Sequence, residues 1–126
     1  MFLIPTYLSR SPIHGIGVCT SIFIPAGTVI WEFNYDVDWT LTEFELEQFP
    51  EPYKSKIRAY SYINKEGLYV LCGDNAKFMN HSFEPNCDES RGIQTVAARD
   101  ILPNEELTCD YSSLGLQPNE LRSIIS

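Results

Sequence analysis

The sequence GDNAKFMNHSFEPNC, residues 73–87, sets the expectation for the rest of this chain. Its residues follow neither a helical nor a strand period, and turn-forming residues stand near both ends, so we expect a shaped loop. Asn80, His81 and Ser82 offer an amide, an imidazole and a hydroxyl side by side, and these groups can hydrogen-bond a polar ligand. The same triplet also suits a loop that only satisfies its own hydrogen bonds. Both interpretations stay open on this stretch alone.

Two further motifs lie on either side, HGIGV at residues 14–18 and EELTCDY at residues 105–111. Taken in order, the Gly-x-Gly turn, Lys-Phe-x-Asn-His-Ser-x-x-Pro-Asn-Cys and Glu-Glu-Leu-Thr-x-Asp-Tyr resemble the SET-domain family of protein lysine methyltransferases. The resemblance runs from about residue 7 to residue 112. It implies a mainly β, β-clip-like fold of several small twisted sheets, with few short helices. It also implies a C-terminal pseudoknot, which is an exception to the rule that chains do not thread their own loops.

Length and composition fit one folded domain. A chain of 126 residues buries about two thirds of its extended surface on folding, which is enough for one core. Hydrophobic residues make up 44% and aromatic residues 13%, and this composition argues against disorder. We therefore expect a single domain over residues 1–126, with an insert region at about 34–70 and a C-terminal tail at 112–126.

The charge balance excludes one class of partner. The net charge is -8, with 17 acidic against 9 basic residues, whereas nucleic-acid binding depends on Lys and Arg that neutralise phosphates. Seven of the acids lie within residues 32–51, where they would attract a basic protein or peptide. A solvated acidic helix face explains the same acids equally well. We expect no direct nucleic-acid partner.

The four cysteines are Cys19, Cys72, Cys87 and Cys109, and none forms a Cys-x-x-Cys or Cys-x-Cys pair. This spacing suggests neither a zinc site nor a disulfide scaffold, so we expect free thiols in a reducing compartment and no metal. The apolar residues 1–4 lack a basic leader, and no stretch approaches the ~18 apolar residues of a membrane span. We expect a soluble intracellular protein, cytoplasmic or nuclear, with no membrane partner.

Short strands separated by turns dominate the rest of the pattern. A Thr-x-x-Glu capping box, with Thr40 as cap and Glu43 reaching back, predicts one helix that ends at Pro50. No other helix is expected before a terminal one at 118–125. Strands are predicted at 7–9, 17–23, 28–33, 92–98 and 106–109, and a hairpin at 59–63 and 68–71.

The resemblance also implies a cofactor, S-adenosyl-L-methionine, and the residues that bind it. Lys77 stands where the family often has Arg and would meet the cofactor carboxylate as a point charge, although an exposed structural Lys fits equally. The Gly15–Gly17 stretch is open to a second interpretation, a tight turn without a ligand. The cofactor-binding residues implied by the family pattern are Ile16, Gly17, Lys77, Asn80, His81 and Tyr111.

The same resemblance assigns the chemistry to tyrosines. Tyr111 matches the catalytic tyrosine. Tyr60, which we also expect to be catalytic, matches a tyrosine on the wall of the lysine channel, with Tyr62 beside it. A buried core tyrosine, or a hairpin rich in aromatic residues, would look similar. The substrate amine, with an ordinary pKa of about 10.4, must lose a proton, and an apolar channel beside a sulfonium favours this loss. No strong base is required.

Two departures from the family pattern matter. Cys109 lies two residues before Tyr111, where relatives usually carry Phe or Tyr, so we hypothesise a roomy channel that permits di- or trimethylation. Residues 112–126 carry no zinc-binding Cys-x-Cys segment and no aromatic residue to close the channel. Leu114 and Leu116, a terminal helix or a second subunit must then cover it, and a homodimer is predicted.

These patterns point to an enzyme that methylates lysine in a basic, flexible protein segment such as a histone-like tail. The main alternative is a SET-fold module that binds cofactor or peptide without turnover. A structural β domain with fortuitous motifs is a third possibility.

Overall fold

The computed structural model describes residues 1–111, which form ten short strands and two short α-helices. The strands are β1 Thr6–Arg10, β2 Ile16–Thr20, β3 Val29–Glu32, β4 Trp39–Leu41, β5 Tyr62–Ile63, β6 Tyr69–Leu71, β7 Asn80–His81, β8 Cys87–Asp88, β9 Gln94–Ala97 and β10 Glu106–Cys109. The helices are α1 Glu43–Glu47, α2 Tyr53–Tyr60 and a 3₁₀ helix at Asn75–Phe78. The mainly β prediction is confirmed, and the terminal helix predicted at 118–125 lies outside the described residues.

The strands form three small sheets, with orders β1-β2-β10-β7, β3-β9-β8 and β4-β6-β5. In the first sheet β10 pairs antiparallel with β2 and parallel with β7. These two pairings bring the motif at 105–111 against both the N-terminal motif and the central segment. The close association of the C-terminal motif with an earlier loop, expected for the pseudoknot, is therefore present in the strand order.

One hydrophobic cluster joins the first two sheets. Val18, Ile30, Ile101 and Leu107 each have no exposed surface, and together they link strands from both ends of the chain. Burying one such side chain stabilises a fold by about 2 kcal/mol. A smaller cluster around Leu46 lies under the insert region. The main core thus fixes the strands that carry the three motifs.

The capping box of α1 begins two residues later than the sequence predicts. The Thr42 hydroxyl accepts a hydrogen bond from the Glu45 N–H at 3.1 Å, and the Glu45 carboxylate accepts one from the Thr42 N–H at 3.0 Å. Thr40 instead lies in β4, where it pairs with Val70. Both Thr-x-x-Glu frames exist in the sequence, and the strand pairing decides between them because a residue in a sheet cannot cap a helix.

Helix α2 was missed, and the predicted hairpin is shorter than expected. Tyr60 ends this helix instead of lying in a strand, and only β5 and β6 form the hairpin. Interactions outside the segment hold α2 in place: the Arg58 guanidinium bonds Glu43 at 3.0 Å and Glu47 at 2.8 Å on α1. Such long-range pairs leave no periodic signal within eight residues of sequence.

The segment at 73–87 is more regular than a loop. Its 3₁₀ helix begins at Asp74, whose carboxylate accepts a 3.0 Å hydrogen bond from the Ala76 N–H, and β7 and β8 follow. A Cβ on Gly73 would lie 1.9 Å from the carbonyl oxygen of Val37, so the chain passes there too closely for any side chain. The expectation of a wholly irregular loop was wrong because β7 pairs with the distant β10.

Two other expectations concern the state of the cysteines and the presence of membrane-spanning helices. The four cysteines are free, and Cys72, Cys87 and Cys109 are buried, as predicted. Across residues 1–111, no helix has the length and apolar character needed to cross a membrane.

Candidate functional site

A cavity of about 90 Å³ lies where the three sheets meet the helical insert. Its walls include the end of α2, β5, the 3₁₀ helix and the end of β10. Five residues predicted from the sequence line it: Tyr60, Tyr62, Lys77, Cys109 and Tyr111. The structure therefore brings together the three residues predicted for the substrate channel, the two predicted catalytic tyrosines and one predicted cofactor-binding lysine.

Tyr111 is anchored to the central segment by both its side chain and its backbone. Its hydroxyl donates a hydrogen bond to the carbonyl of Met79, and its N–H donates one of 3.0 Å to Nδ1 of His81. The residue is buried and lines the cavity. Two segments far apart in sequence thus converge, as the resemblance implies.

The hydrogen bond to Tyr111 orients the His81 ring. Nδ1 is the acceptor of this bond, so the tautomer that fits carries its hydrogen on Nε2. Nε2 is enclosed and has no hydrogen-bond partner among residues 1–111. The Phe83 ring contacts the imidazole edge to face, with centroids 4.2 Å apart. His81 lies behind Tyr111 and does not line the cavity, so its predicted cofactor contact stays a prediction.

Asn80 has no exposed surface, and its amide bonds protein groups. The amide nitrogen lies 3.0 Å from the His14 carbonyl, 3.3 Å from the Ile16 carbonyl and 3.0 Å from the Glu106 carboxylate. These contacts tie the N-terminal turn to β7 and β10. The structure thus gives Asn80 a positioning role that the sequence did not reveal, and its cofactor role stays a prediction.

Ile16 and Gly17 contact this network, and the cavity lining includes neither of them. A Cβ on Gly17 would lie 2.4 Å from Oε2 of Glu106, so the glycine is required by the carboxylate that packs against it. Ser11 holds the same carboxylate through a hydrogen bond of 2.8 Å. Ile16 is exposed on the surface. Neither residue lines the cavity, and their contact with a cofactor also stays a prediction.

Aromatic contacts fix one side of the cavity. The Tyr60 ring meets Phe78 edge to face, with centroids 5.5 Å apart, and Nζ of Lys77 lies 5.6 Å from the centroid of the same Phe78 ring. One phenylalanine of the 3₁₀ helix therefore contacts both a predicted catalytic residue and a predicted cofactor-binding residue.

Two side chains that line the cavity, Tyr62 and Cys72, stay protonated because they are buried. Burial raises the pKa of the Tyr62 hydroxyl far above its ordinary value and that of the Cys72 thiol to about 12. The negative charge of Asp38 adds to both shifts. At neutral pH both groups are therefore protonated, and neither serves as a base or a nucleophile.

Other lining residues were missed by sequence reasoning, and Glu89 is the most informative of them. It comes two residues after the buried Cys87, with the exposed Asp88 between them. In an extended segment alternate residues share a face, so this inward-outward pattern could have placed Glu89 on the inner side. The further residues that were missed include Trp31, Cys72, Met79 and Thr95.

The acidic insert region is only partly open to a ligand. Glu43 and Glu47 form ion pairs with Arg58, and Asp38 is buried and bonds the terminal ammonium of Met1 at 2.9 Å. The Arg58 guanidinium lowers the pKa of the Glu43 carboxyl. Part of the predicted acidic field is therefore engaged within the protein itself.

The remaining predictions concern metals and the cover of the channel. Within the described part of the chain, no three or more His, Cys, Asp or Glu side chains are arranged to hold a metal ion. Leu114, Leu116 and the terminal helix, proposed as covers, lie outside the described residues.

Comparison with known proteins gives one family and several relatives. The family model described as SET domain matches residues 15–112. Human histone-lysine N-methyltransferase 2B is 34% identical over 113 residues, which is 81% of this chain and 4% of the human protein. The H3 lysine-9 specific histone-lysine N-methyltransferase of Schizosaccharomyces pombe is 29% identical over 135 residues, 86% of this chain and 26% of that protein. The chain thus spans a small part of each relative.

Among solved structures, one match is a humanized mutant of the Chaetomium thermophilum Polycomb Repressive Complex 2 bound to the inhibitor GSK126. The TM-score is 0.67 at 19% identity, and the match covers 88% of this chain and 15% of the other. At this identity the likeness shows a shared fold.

Proposed function

Because this chain belongs to the SET domain family, we propose that it is a protein-lysine N-methyltransferase that uses S-adenosyl-L-methionine. The observation that carries the proposal is the anchoring of Tyr111. The hydroxyl and the backbone of this residue are fixed by Met79 and His81, at the wall of a cavity that two other tyrosines also line. A core tyrosine that only fills space would not need a cavity beside it.

The proposed substrate is a lysine in a basic protein segment such as a histone tail. Two of the relatives are histone-lysine methyltransferases by name, and the yeast protein is named for lysine 9 of histone H3. The net charge of -8 also favours the approach of a basic segment.

The cavity suits the proposed cofactor in its chemistry. When bound, S-adenosylmethionine supplies a methyl group on a positively charged sulfonium. Aromatic ring faces attract such a cation, and Tyr60, Tyr62 and Tyr111 line the cavity. The Lys77 ammonium on the same wall would bind the cofactor carboxylate. Ile16, Gly17, Asn80 and His81 complete the proposed binding set.

The residues of the chain orient the substrate amine and do not need to ionise. The Tyr111 hydroxyl commits its hydrogen to the Met79 carbonyl, so its oxygen presents lone pairs that can accept a hydrogen bond from the lysine nitrogen. The partly apolar walls exclude water and thereby favour the uncharged amine. Orientation of the reacting groups in a closed space then accounts for most of the rate enhancement that we expect.

The test is transfer of labelled methyl groups to histone H3, with Tyr111→Phe as the variant and Tyr35→Phe as the matched control, since Tyr35 is 89% exposed. We expect the first substitution to lower the rate about a hundredfold, as loss of one positioned hydrogen-bonding group does elsewhere, and the second to leave it unchanged. Calorimetry would report cofactor binding separately. Binding without transfer by the wild-type chain would favour a binding module instead of an enzyme.

A further inference from the structure

We propose that Glu89 is the residue that selects a cationic side chain in the cavity, and that it binds the ammonium of the incoming lysine. This inference rests on the proposed function and assigns to it a specificity-determining residue that none of the three sequence motifs contains. Among the residues that line the cavity, Glu89 supplies the carboxylate and Lys77 the ammonium. The cavity lining thus includes one negatively charged and one positively charged side chain.

The backbone around Glu89 is held in a tight turn, so the place of this residue on the chain is fixed before any ligand arrives. The Glu89 carbonyl accepts a 3.0 Å hydrogen bond from the N–H of Gly92, whose φ of +81° suits glycine. The neighbouring Asp88 carboxylate accepts a 2.9 Å bond from the Ser90 N–H and points outward. Two adjacent acids therefore divide their roles, since Asp88 stabilises the turn and Glu89 faces inward.

The carboxylate of Glu89 acts in surroundings of reduced dielectric constant. Its Oε2 atom is enclosed by protein. Burial, followed by the charge of Glu89, raises the pKa of the adjacent Cys87 thiol to about 12. The negative charge of Glu89, which acts on the Cys87 thiol, would also attract a cation that enters the cavity. Interactions between charges strengthen as water is excluded.

Lys77 adds a positive charge to the lining of the same cavity. An ammonium entering it is repelled by Lys77 and attracted by Glu89, whereas a carboxylate on a second ligand has the opposite preference. The two ligands of a methyl transfer, a lysine side chain and an amino-acid cofactor, carry those two charges. Glu89 would thus favour the lysine side chain, and Lys77 would favour the carboxylate of the cofactor.

Binding an ammonium has a cost for catalysis that makes the proposal measurable. A nearby carboxylate stabilises the protonated amine and raises its pKa, whereas methyl transfer needs the neutral amine. Glu89 should therefore strengthen substrate binding and shift the pH profile of kcat upward. The other titratable groups on the cavity wall are Tyr60, Tyr62, Cys72, Lys77, Cys109 and Tyr111.

The test compares Glu89→Gln with Glu84→Gln, an equal charge change at an exposed residue of the preceding loop. With a histone H3 tail peptide, we expect Glu89→Gln to raise KM roughly tenfold, as loss of one charged hydrogen bond does. We also expect its kcat profile to move to lower pH, and Glu84→Gln to change neither quantity. Equal KM values and superimposable pH profiles for the two variants would overturn the proposal.

Binding without turnover provides the second measurement. Mass spectrometry of the wild-type product identifies the modified lysine, and calorimetry then compares that peptide with one carrying norleucine there. We expect Glu89→Gln to weaken binding of the lysine peptide and not of the norleucine peptide. The effects of the protein substitution and the peptide substitution on the binding free energy would then not be additive. If the variant does not fold, equal binding of both peptides to the wild-type chain would refute the proposal. Absence of any methyl transfer by the wild-type chain would instead refute the proposed function.

Discussion

The backbone N–H of Tyr111 donates a 3.0 Å hydrogen bond to Nδ1 of His81, which lies 30 residues earlier in the chain. This bond connects the end of β10 with β7 beside the parallel pairing of Cys109 with His81. In this bond Nδ1 is the acceptor. The catalytic tyrosine proposed here is therefore positioned by a ring that does not itself line the cavity.

His81→Phe should destabilise the fold and lower methyl transfer together. The substitution keeps a ring but removes the acceptor, so the Tyr111 N–H loses its bond at a cost of about 1–3 kcal/mol. Chemical denaturation measures the free energy of unfolding, and His14→Phe is the control because the His14 imidazole makes no comparable bond within residues 1–111. Equal stability of the two variants would contradict this role.

Gly17→Ala should destabilise the fold by about 1–3 kcal/mol because the new methyl group meets a fixed carboxylate. A Cβ there would lie 2.4 Å from Glu106 Oε2, which Asn80 holds, whereas a Cβ on Gly15 would meet nothing within 4 Å.

The matched control for that change is Gly15→Ala, whose strain comes only from its φ of +45°. We expect this control to cost about 1 kcal/mol, as for other residues forced into the left-handed region. Thermal or urea unfolding gives both values. A Gly17 variant as stable as wild type would show that Glu106 can move aside.

Acid should remove the stabilising contribution of Glu105. Its pKa is lowered by the Arg99 guanidinium at 2.6 Å, and further by hydrogen bonds from Leu102 and Asn86. A lowered folded-state pKa gives stability that is present above the unfolded value, about 4.3, and lost as pH falls through the folded one.

Arg99→Gln should therefore reduce the loss of stability below about pH 4.3. The effect should be about 0.5 kcal/mol at neutral pH, since the pair is partly exposed and screened by water. Urea unfolding between pH 3 and 7 measures it, with Arg91→Gln as the control. A steeper acid limb in the Arg99 variant would be the contrary result.

Cys109→Tyr should lower the number of methyl groups added to each lysine. Cys109 is buried in the wall of a cavity of about 90 Å³, and a phenol there would occupy space that a second or third methyl group needs. Mass spectrometry after exhaustive reaction with a histone H3 peptide measures the product. Cys109→Ala keeps the room and should keep the product state. A wild-type chain that yields only monomethyl-lysine would refute the hypothesis.

A homodimer remains a prediction from the sequence. If a second copy covers the channel, light scattering at tens of micromolar should give twice the mass of one chain. Dilution should then lower the mass and the activity together, because the wall of each channel comes from its partner. A single-chain mass with full activity would contradict it.

The sequence by itself determined the family, the β-rich character and the β10 segment. These features are encoded locally: motifs have fixed spacing, and strands and turns have residue preferences that act over a few positions. The free state of the four cysteines follows equally from their spacing. Each of these predictions depends on the residue types and spacings within short segments of the sequence.

Only the tertiary structure decided the start of α1 at Thr42, the helix that ends at Tyr60 and the internal role of Asn80. Each depends on partners far away in sequence: a strand pairing, an Arg58 that reaches α1, or carbonyls 64 and 66 residues away. Such contacts contribute free energy only once the chain has folded and the distant partners have met. A local sequence pattern therefore does not predict them.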